Sequence, residues 1–234
     1  MIQLFPIKFP NHHQAQAVKL DQFQELDSAI RQLGIEYPKP TLVLIGGAAG
    51  LTGENLIRPF FSDVVVPVMT EVGGILIDGG TDSGIMKLIG QAYLEQGATF
   101  PLIGVSASGT IVLPNQASPD PEKASLEPNH THFMLVPGVN WGDEAPWLAE
   151  VANVLAGDSA SVAMLINGGE FSRKDVQYNL ESGRSILIMS GTGRLADELA
   201  QQPKVSHLFH ILNINEAPRH SKEILKSLLA EESR

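Results

Sequence analysis

Two stretches of this sequence end an apolar run in glycines and continue as a helical pattern, an arrangement that can present backbone amides to a phosphate. Ala163-Met164-Leu165-Ile166 runs into Asn167-Gly168-Gly169, and Ile186-Leu187-Ile188-Met189 runs into Ser190-Gly191-Thr192-Gly193-Arg194. Glycine at a strand end lets N–H groups turn toward a ligand, and the N-terminus of the following helix favours an anion there. The same unit occurs twice earlier. Gly46-Gly47 follow Thr41-Leu42-Val43-Leu44-Ile45, and Gly79-Gly80-Thr81-Asp82-Ser83-Gly84 follow Ile75-Leu76-Ile77-Asp78. One such loop is only a tight turn. Four of them at strand ends, where open α/β sheets bind their ligands, predict a site for a phosphate-bearing small molecule.

Several side chains in and near these loops could add chemistry. Lys87 follows Gly84 closely enough to pair with a phosphate, or it is a solvated helix lysine. Arg194 could hold a phosphate bidentately, or it could pair with Asp197 or Glu198 in the next turn. Asp78 could accept a hydrogen bond from a ribose hydroxyl, while Asp82 is expected to cap the following helix with Ser83. Glu170 and Asp175 are candidate general acid–base groups; otherwise they are first-turn acids that complement a helix dipole. His130-Thr131-His132 has metal-ligand spacing, with Asp143 and Glu144 as further oxygens. Nothing in the sequence fixes these loops together, so no metal is expected. His132 is expected to be hydrogen-bonded at the start of a strand and Asp143 to cap a helix. Trp141, in a glycine-flanked loop, could stack on a base or simply pack the loop. His12-His13 is expected to face solvent.

The composition narrows the function classes. The chain has 234 residues, 43% hydrophobic and 18% charged, which fits one globular domain with a sizeable core. A net charge of −10 without a basic tract argues against nucleic acid as a partner. The absence of cysteine removes disulfides, thiolate catalysis and Cys-based zinc sites. No signal peptide is apparent, and no apolar run approaches the roughly 18 residues of a membrane span. The expectation is a cytoplasmic protein with no direct membrane insertion. GxGxxG after the first strand, GxxxxGK[ST] and GxSxG are all missing, which removes the standard dehydrogenase, P-loop and esterase readings.

The elements that must position these residues alternate between strand and helix. Residues 1–40 read as an N-terminal segment packed on the domain, with a helix through Phe23, Leu26, Ile30 and Leu33 stopped by Gly34 and by Pro38 and Pro40. Residues 41–234 read as a single ligand-binding domain. After the first core strand comes a long helical region through Phe60, Val64 and Val68, with Pro59 and Pro67 expected to break it. Further strands are expected at 102–106, 133–136 and 208–214, and helices through Ile85, Leu88 and Ile89, through Leu148, Val151 and Leu155, and at 221–232. Residues 113–129, rich in Pro, Ser and acids, read as a surface excursion. No solenoid-type repeat is present. The whole predicts a three-layer Rossmann-like α/β domain, with a mostly parallel sheet of about seven strands and helices on both faces.

Gly79 to Gly90, GGTDSGIMKLIG, resembles the GGG-x-x-G-L-M-G segment of the Lonely Guy phosphoribohydrolases and of the wider SLOG superfamily. It is most similar to the SLOG domain at the N-terminus of TRPM cation channels and its prokaryotic relatives. Four blocks carry the likeness in order: the glycines after Ile45, GGTDSGIMKLIG, NHTHFMLV from Asn129 to Val136, and INGGEF with SGTGRLADELA. They cover roughly residues 41 to 200. The resemblance implies a domain that binds a nucleotide or NAD-derived ligand, with ADP-ribose, NAD or an AMP-like molecule as the expected ligand and no cofactor required. The implied ligand-binding positions are Gly46, Gly47, Gly79, Gly80, Thr81, Ser83, Gly84, Lys87, Asn167, Gly168, Gly169, Gly191, Thr192, Gly193 and Arg194. The enzymatic branch carries P-G-G-x-G-T-x-x-E, whose Glu helps cleave an N-glycosidic bond. Here Phe171 replaces its third glycine, Ser172 its Thr and Asp175 its Glu, and the Arg-Lys pair of those enzymes has no counterpart. A sensor is therefore expected, with an N-glycosidase or a hydrolase of NAD derivatives as the alternative. The resemblance also implies homo-oligomers paired through helices, and an effector protein that receives the signal.

Overall fold

The computed structural model describes residues 2–47, 53–114, 116, 120–202 and 206–230. Residues 48–50 of the first glycine loop, and Glu231 and Glu232 of the expected last helix, lie outside the described residues.

The chain opens with β1 (Gln3–Lys8) and β2 (Gln14–Lys19), then a 3-10 turn at Phe23–Glu25 and α1 (Leu26–Gln32). β3 (Thr41–Gly46) leads into α2 (Glu54–Phe60), a π turn at Phe61–Val65 and α3 (Val66–Val72). β4 (Ile75–Asp78), α4 (Gly84–Glu95) and β5 (Leu102–Ala107) follow. The short β6 (Ile111–Val112) and β7 (Ala124–Ser125) pair only with each other. β8 (His132–Val136), α5 (Ala145–Ala156), β9 (Ser161–Ile166) and α6 (Glu170–Glu181) come next. β10 (Ser185–Ser190), α7 (Arg194–Gln201), β11 (Phe209–Asn213) and α8 (Pro218–Ala230) complete the described chain.

Nine strands form one sheet in the order β1-β2-β8-β5-β4-β3-β9-β10-β11, parallel throughout except for the β1–β2 hairpin. The central strands are covered on both faces, which is why their sequences are unbroken apolar runs. Leu42 and Leu44 of β3 point into a core shared with α2 to α4 and α8, while Val43 and Ile45 point into one shared with α1 and α5 to α7. β4, β5 and β8 extend the sheet to one side of β3, and β9 to β11 extend it to the other. The strand order therefore reverses between β3 and β9, the place where a doubly wound sheet opens a crevice for a ligand. No helix among the described residues is long and apolar enough to cross a membrane.

The sheet has nine strands rather than about seven. The two additional ones are the N-terminal hairpin, whose β2 lies parallel to β8 with Ala17 opposite Phe133. Its Gln14-Ala15-Gln16-Ala17 alternates exposed and buried residues at strand period, but alanine and glutamine are helix formers, so the local signal is weak. The prolines of the long helical region do not break it. Pro67 lies in the first turn of α3, and the preceding π turn accommodates the ladder position that its missing N–H leaves open.

A buried ionic network joins β4, the 113–129 excursion and β8. His130, fully buried, places Nε2 at 2.9 Å from Asp78 Oδ1 and Nδ1 at 2.8 Å from Glu127 Oε2. Burial alone would depress the imidazole, but the charge of Asp78 and hydrogen bonds to both carboxylates outweigh it and raise His130 to about 10. Asp78 Oδ1 also accepts the Gly80 amide at 2.7 Å, and Glu127 accepts the backbone and side-chain N–H groups of Asn129. Glu127 in turn donates its backbone N–H to Gly80 O at 2.9 Å. Room for its carboxylate comes from Gly90 of α4, where a Cβ would meet a carboxylate oxygen at 2.2 Å. The turn after β4 is thus clamped from below and from the side.

Replacing His130 with alanine strands two buried carboxylates and is expected to lower the unfolding free energy by about 3–5 kcal/mol. Because the folded histidine titrates above its ordinary 6.5, its contribution is complete below that pH and is lost as pH rises through about 10. Urea midpoints should fall across that window in the wild type and not in His130→Ala; a wild-type midpoint that stays level across it would mean the buried imidazole is neutral.

Candidate functional site

A cleft of about 560 Å³ opens at the carboxyl ends of β3, β4 and β5, beside the point of strand reversal. Leu44, Ile45, Gly46 and Gly47 form its floor, with Gly79, Thr81, Ser106 and Ala107 next to them. Ser83 and Met86 bring the first turn of α4 to one wall; Glu144 and Leu148 bring the start of α5. Gly169, Glu170, Phe171, Ser172 and Asp175 of α6, and Arg194 of α7, line the opposite side. Four helix N-termini therefore border one cavity, although the first amides of α7 are taken up by Gly168 O, Asn167 O and the Asp197 carboxylate. Residues 121–124 of the excursion cover the cleft together with Trp141, whose indole N–H donates to Glu122 O at 3.2 Å.

The loop after β4 owes its shape to close approaches. Gly80, at φ +69°, lies so near Gly104 that a Cβ would come within 2.8 Å of that Cα. Ser106 Oγ donates to Gly79 O at 2.8 Å, and Thr81 bridges Leu126. Ser83 occupies the N-cap position of α4. Asp82 does not cap: its carboxylate pairs with Lys87 Nζ at 3.4 Å, and its amide donates to Ser125 O. Ser83 is the residue with extended backbone before the first helical turn, but its hydroxyl lies 3.1 Å from Thr81 Oγ1 and makes no capping bond, so neither expected side chain caps α4.

Of the residues singled out from sequence, Gly46, Gly47, Gly79, Thr81, Ser83, Trp141, Glu144, Gly169, Glu170, Asp175 and Arg194 meet around this cleft. The other expected ligand-binding positions do not line it. Gly84 starts α4 at φ +52°, and Lys87 is exposed on that helix. Asn167 and Gly168 make a left-handed turn at φ +58° and +89°. The backbone amide of Asn167 donates to Thr192 Oγ1 at 2.8 Å, and its Nδ2 donates to Thr192 O at 2.8 Å. Thr192 is buried and returns a bond from its hydroxyl to Met189 O. The amides of Gly191 and Gly193 donate to the Asp197 carboxylate at 2.5 and 3.0 Å, so this loop is closed by its own helix. Glu198 is taken by Arg173 of α6. Arg194 itself has φ +51°, a costly conformation for a residue with a Cβ. Its guanidinium lies over Gly169, where a Cβ would come within 2.5 Å of Nη2, and from there it reaches the cleft.

The cleft also holds two carboxyl groups with raised pKa values. Burial, followed by the charge of Glu144, raises Asp175 to about 7, while Lys174 opposes the shift. Burial raises Glu144 above the usual carboxylate range as well, against hydrogen bonds from its own amide and that of Gly142. Asp143 goes the other way, because the Asn140 and Val139 amides stabilise its charge. It thereby ties the loop before α5 rather than entering the cleft. Glu170 stands exposed at the mouth, 3.7 Å from Arg173.

His130 and His132 serve different partners. His130 belongs to the buried network, while His132 Nδ1 lies 2.8 Å from Thr131 Oγ1 at the start of β8. Asp78, considered above as a ribose acceptor, is fully buried in that network and off the cleft wall. No group of three or more His, Asp or Glu among the described residues is placed to hold a metal ion. The cleft roles of residues 121–124, and the meeting of Glu144 and Asp175 on one cleft wall, are not legible in the sequence. A Pro- and acid-rich run carries no periodic signal, and residues 31 positions apart meet only through the packing of α5 on α6.

The family profile described as SLOG in TRPM, prokaryote, matches residues 39–224. Among curated proteins, the mouse and rat transient receptor potential cation channel subfamily M member 2 are each 24% identical over 204 and 203 residues, which is 72% of this chain. A member-like 2 protein of that subfamily from Nematostella vectensis is 26% identical over 129 residues, covering 46% of this chain. The matched region makes up 14% of each mammalian channel and 8% of the Nematostella protein. Among solved structures, the structural-genomics target TM1055 superposes with a TM-score of 0.54 at 15% identity, covering 80% of this chain and 98% of its own. The molybdenum cofactor binding protein of Rippkaea orientalis superposes with a TM-score of 0.56 at 15% identity, covering 83% and 100%. These two share the fold.

Asp197→Ala should leave the Gly191 and Gly193 amides without their acceptor and cost about 1–2 kcal/mol, as for other lost helix caps. Amide hydrogen exchange at those two glycines should speed up while that of β9 stays slow; unchanged exchange at both would mean the carboxylate does not hold the loop.

Proposed function

The chain belongs to the SLOG in TRPM, prokaryote, family, and on that premise we propose that its cleft binds ADP-ribose or a nucleotide of similar build, as a sensor module acting in the cytoplasm. The observation that carries this reading is Arg194. It is held in a strained left-handed backbone against Gly169 and brought to a cavity bordered by four helix N-termini. Backbone strain of this kind is retained where the residue's direction matters more than its cost. A guanidinium together with helix N-termini suits a diphosphate, and the volume lies within the about 300–1,000 Å³ of small-molecule sites. The apolar surfaces of Leu44, Met86 and Leu148 and the ring of Trp141 offer places for a base. Lys87, Asn167, Gly168 and residues 191–193 support the wall from behind in this reading. The signal passes to an effector protein, and pairing of two copies through helices belongs to the same proposal.

A hydrolytic reading has one observation in its favour. Asp175 sits in the cleft with a pKa raised to about 7, a value suited to general acid–base work at neutral pH. On that reading ribose 5-phosphate, nicotinamide or free base is released, and Asp175→Asn abolishes the release.

Arg194→Ala is expected to weaken ADP-ribose binding by about 1.5–3 kcal/mol, the worth of charged hydrogen bonds to a phosphate. Equilibrium titration of both proteins reads the difference; equal affinities would remove Arg194 from the site.

A further inference from the structure

We propose that the open edge of β11 pairs with the same strand of a second copy of this chain, antiparallel about a two-fold axis at Ile211. The proposal rests on the pairing of copies named in the reading above and gives it a surface; it does not depend on what the cleft binds.

The two edges of the sheet differ. It ends in β1 on one side and β11 on the other, and an edge strand presents N–H and C=O groups that template another strand unless the sequence prevents it. The amides of Gln16 and Leu20 in and after β2 donate to Thr131 O and Leu135 O, so Ala15, Ala17 and Lys19 face β1, opposite Ile7, Phe5 and Gln3. Leu4, Pro6 and Lys8 therefore direct their backbone groups outward. Pro6 has no N–H to offer there and Lys8 adds a charge, which blunts this edge. The β11 edge carries neither device: Phe209-His210-Ile211-Leu212-Asn213 contains no proline and no Asp, Glu, Lys or Arg. The neighbouring helices leave it open, since α7 packs on β10 and α8 on β9 and α3, and Ile211 stands 52% exposed.

What remains on that edge fits a copy of itself. Ile186 N–H donates to Leu208 O and Ile214 N–H to Ser190 O, so Leu208, His210, Leu212 and Ile214 face β10 while Phe209, Ile211 and Asn213 face outward. Two of the outward groups are used within the chain: Phe209 N–H donates to Ser206 O at 3.3 Å, and Asn213 O accepts the Glu216 N–H at 3.0 Å. Left without a partner among the described residues are Phe209 O, both groups of Ile211 and the Asn213 N–H. With the two-fold at Ile211, that residue exchanges both bonds with its copy, and Phe209 of one chain faces Asn213 of the other. The free Phe209 O then meets the free Asn213 N–H, and the two groups already used face each other. The pairing satisfies every free outward group and breaks no local bond. Ile211 packs on its copy with Phe209 diagonal to it on the same face. On a chain of net charge −10, this uncharged strand lets two copies approach without opposing like charges along it. α7 and α8, on opposite faces of β11, flank the seam. The blunted β1 edge keeps the assembly from growing past a closed dimer.

Sedimentation of the full chain in the analytical ultracentrifuge reads the outcome. The wild type is expected to run as a dimer at about 10–100 μM. Ile211→Lys sets two charges against each other at the two-fold and should raise the dimer Kd by about a hundredfold or more, with far-UV circular dichroism unchanged. Ile211→Pro removes only an outward N–H, not a bond to β10, and should also give a monomer. A wild type that stays monomeric over this range, or a dimer that either variant leaves intact, would overturn the proposal. Should the variants misfold, the wild type alone decides: amide exchange at Ile211 and Asn213 should slow as the protein is concentrated, and exchange independent of concentration would overturn the pairing. Sedimentation and ADP-ribose titration read different surfaces, so each reading fails on its own measurement.

Discussion

A histidinium buried between two carboxylates fixes the ground on which the cleft stands. His130 joins Asp78, at the end of β4, to Glu127, at the end of a long excursion. The glycine turn after β4 hangs from the same groups, since Asp78 takes the Gly80 amide and the Glu127 amide takes Gly80 O. Breaking any one member leaves buried charge uncompensated, so the network specifies one arrangement of strand end, excursion and helix α4. The residues that cover the cleft, 121–124, are anchored through this buried point only a few positions away.

Above that base the electrostatics are divided. Helix N-termini and Arg194 favour an anion, whereas Glu144 and Asp175 disfavour one. The division gives the cavity a direction, which a symmetric basic pocket would lack. The strained backbone of Arg194 and the closure of the 191–193 loop by Asp197 belong together: the loop spends its own amides internally and contributes the guanidinium.

Much of this was legible in the sequence. The apolar runs at 42–45, 75–77, 163–166 and 186–189 are strands because both faces are buried, and their glycine ends are the turns that shape the cleft. The matched family and the three-layer architecture follow from the same blocks. What stayed hidden has physical causes. The hairpin strand Gln14–Lys19 is written in Ala and Gln, residues that fit a strand only because Phe133 and the sheet edge lie beside them. Glu127 reads as one more acid in a Pro- and Ser-rich run, and only the tertiary fold brings it to His130. The glycines of the 191–193 loop look alike to any phosphate loop in sequence. That Asp197 consumes their amides depends on the first turn of α7, which brings its carboxylate back to the loop.

On the proposal made above, the cleft at the ends of β3, β4 and β5 holds the nucleotide. The decisive experiment is amide hydrogen exchange with and without saturating ADP-ribose. Exchange is expected to slow only in the turn at 79–84, the cover at 121–124, the 141–144 loop and the start of α6. Protection confined to other surfaces, such as β11 and α8, or an unchanged pattern at saturation, would contradict it.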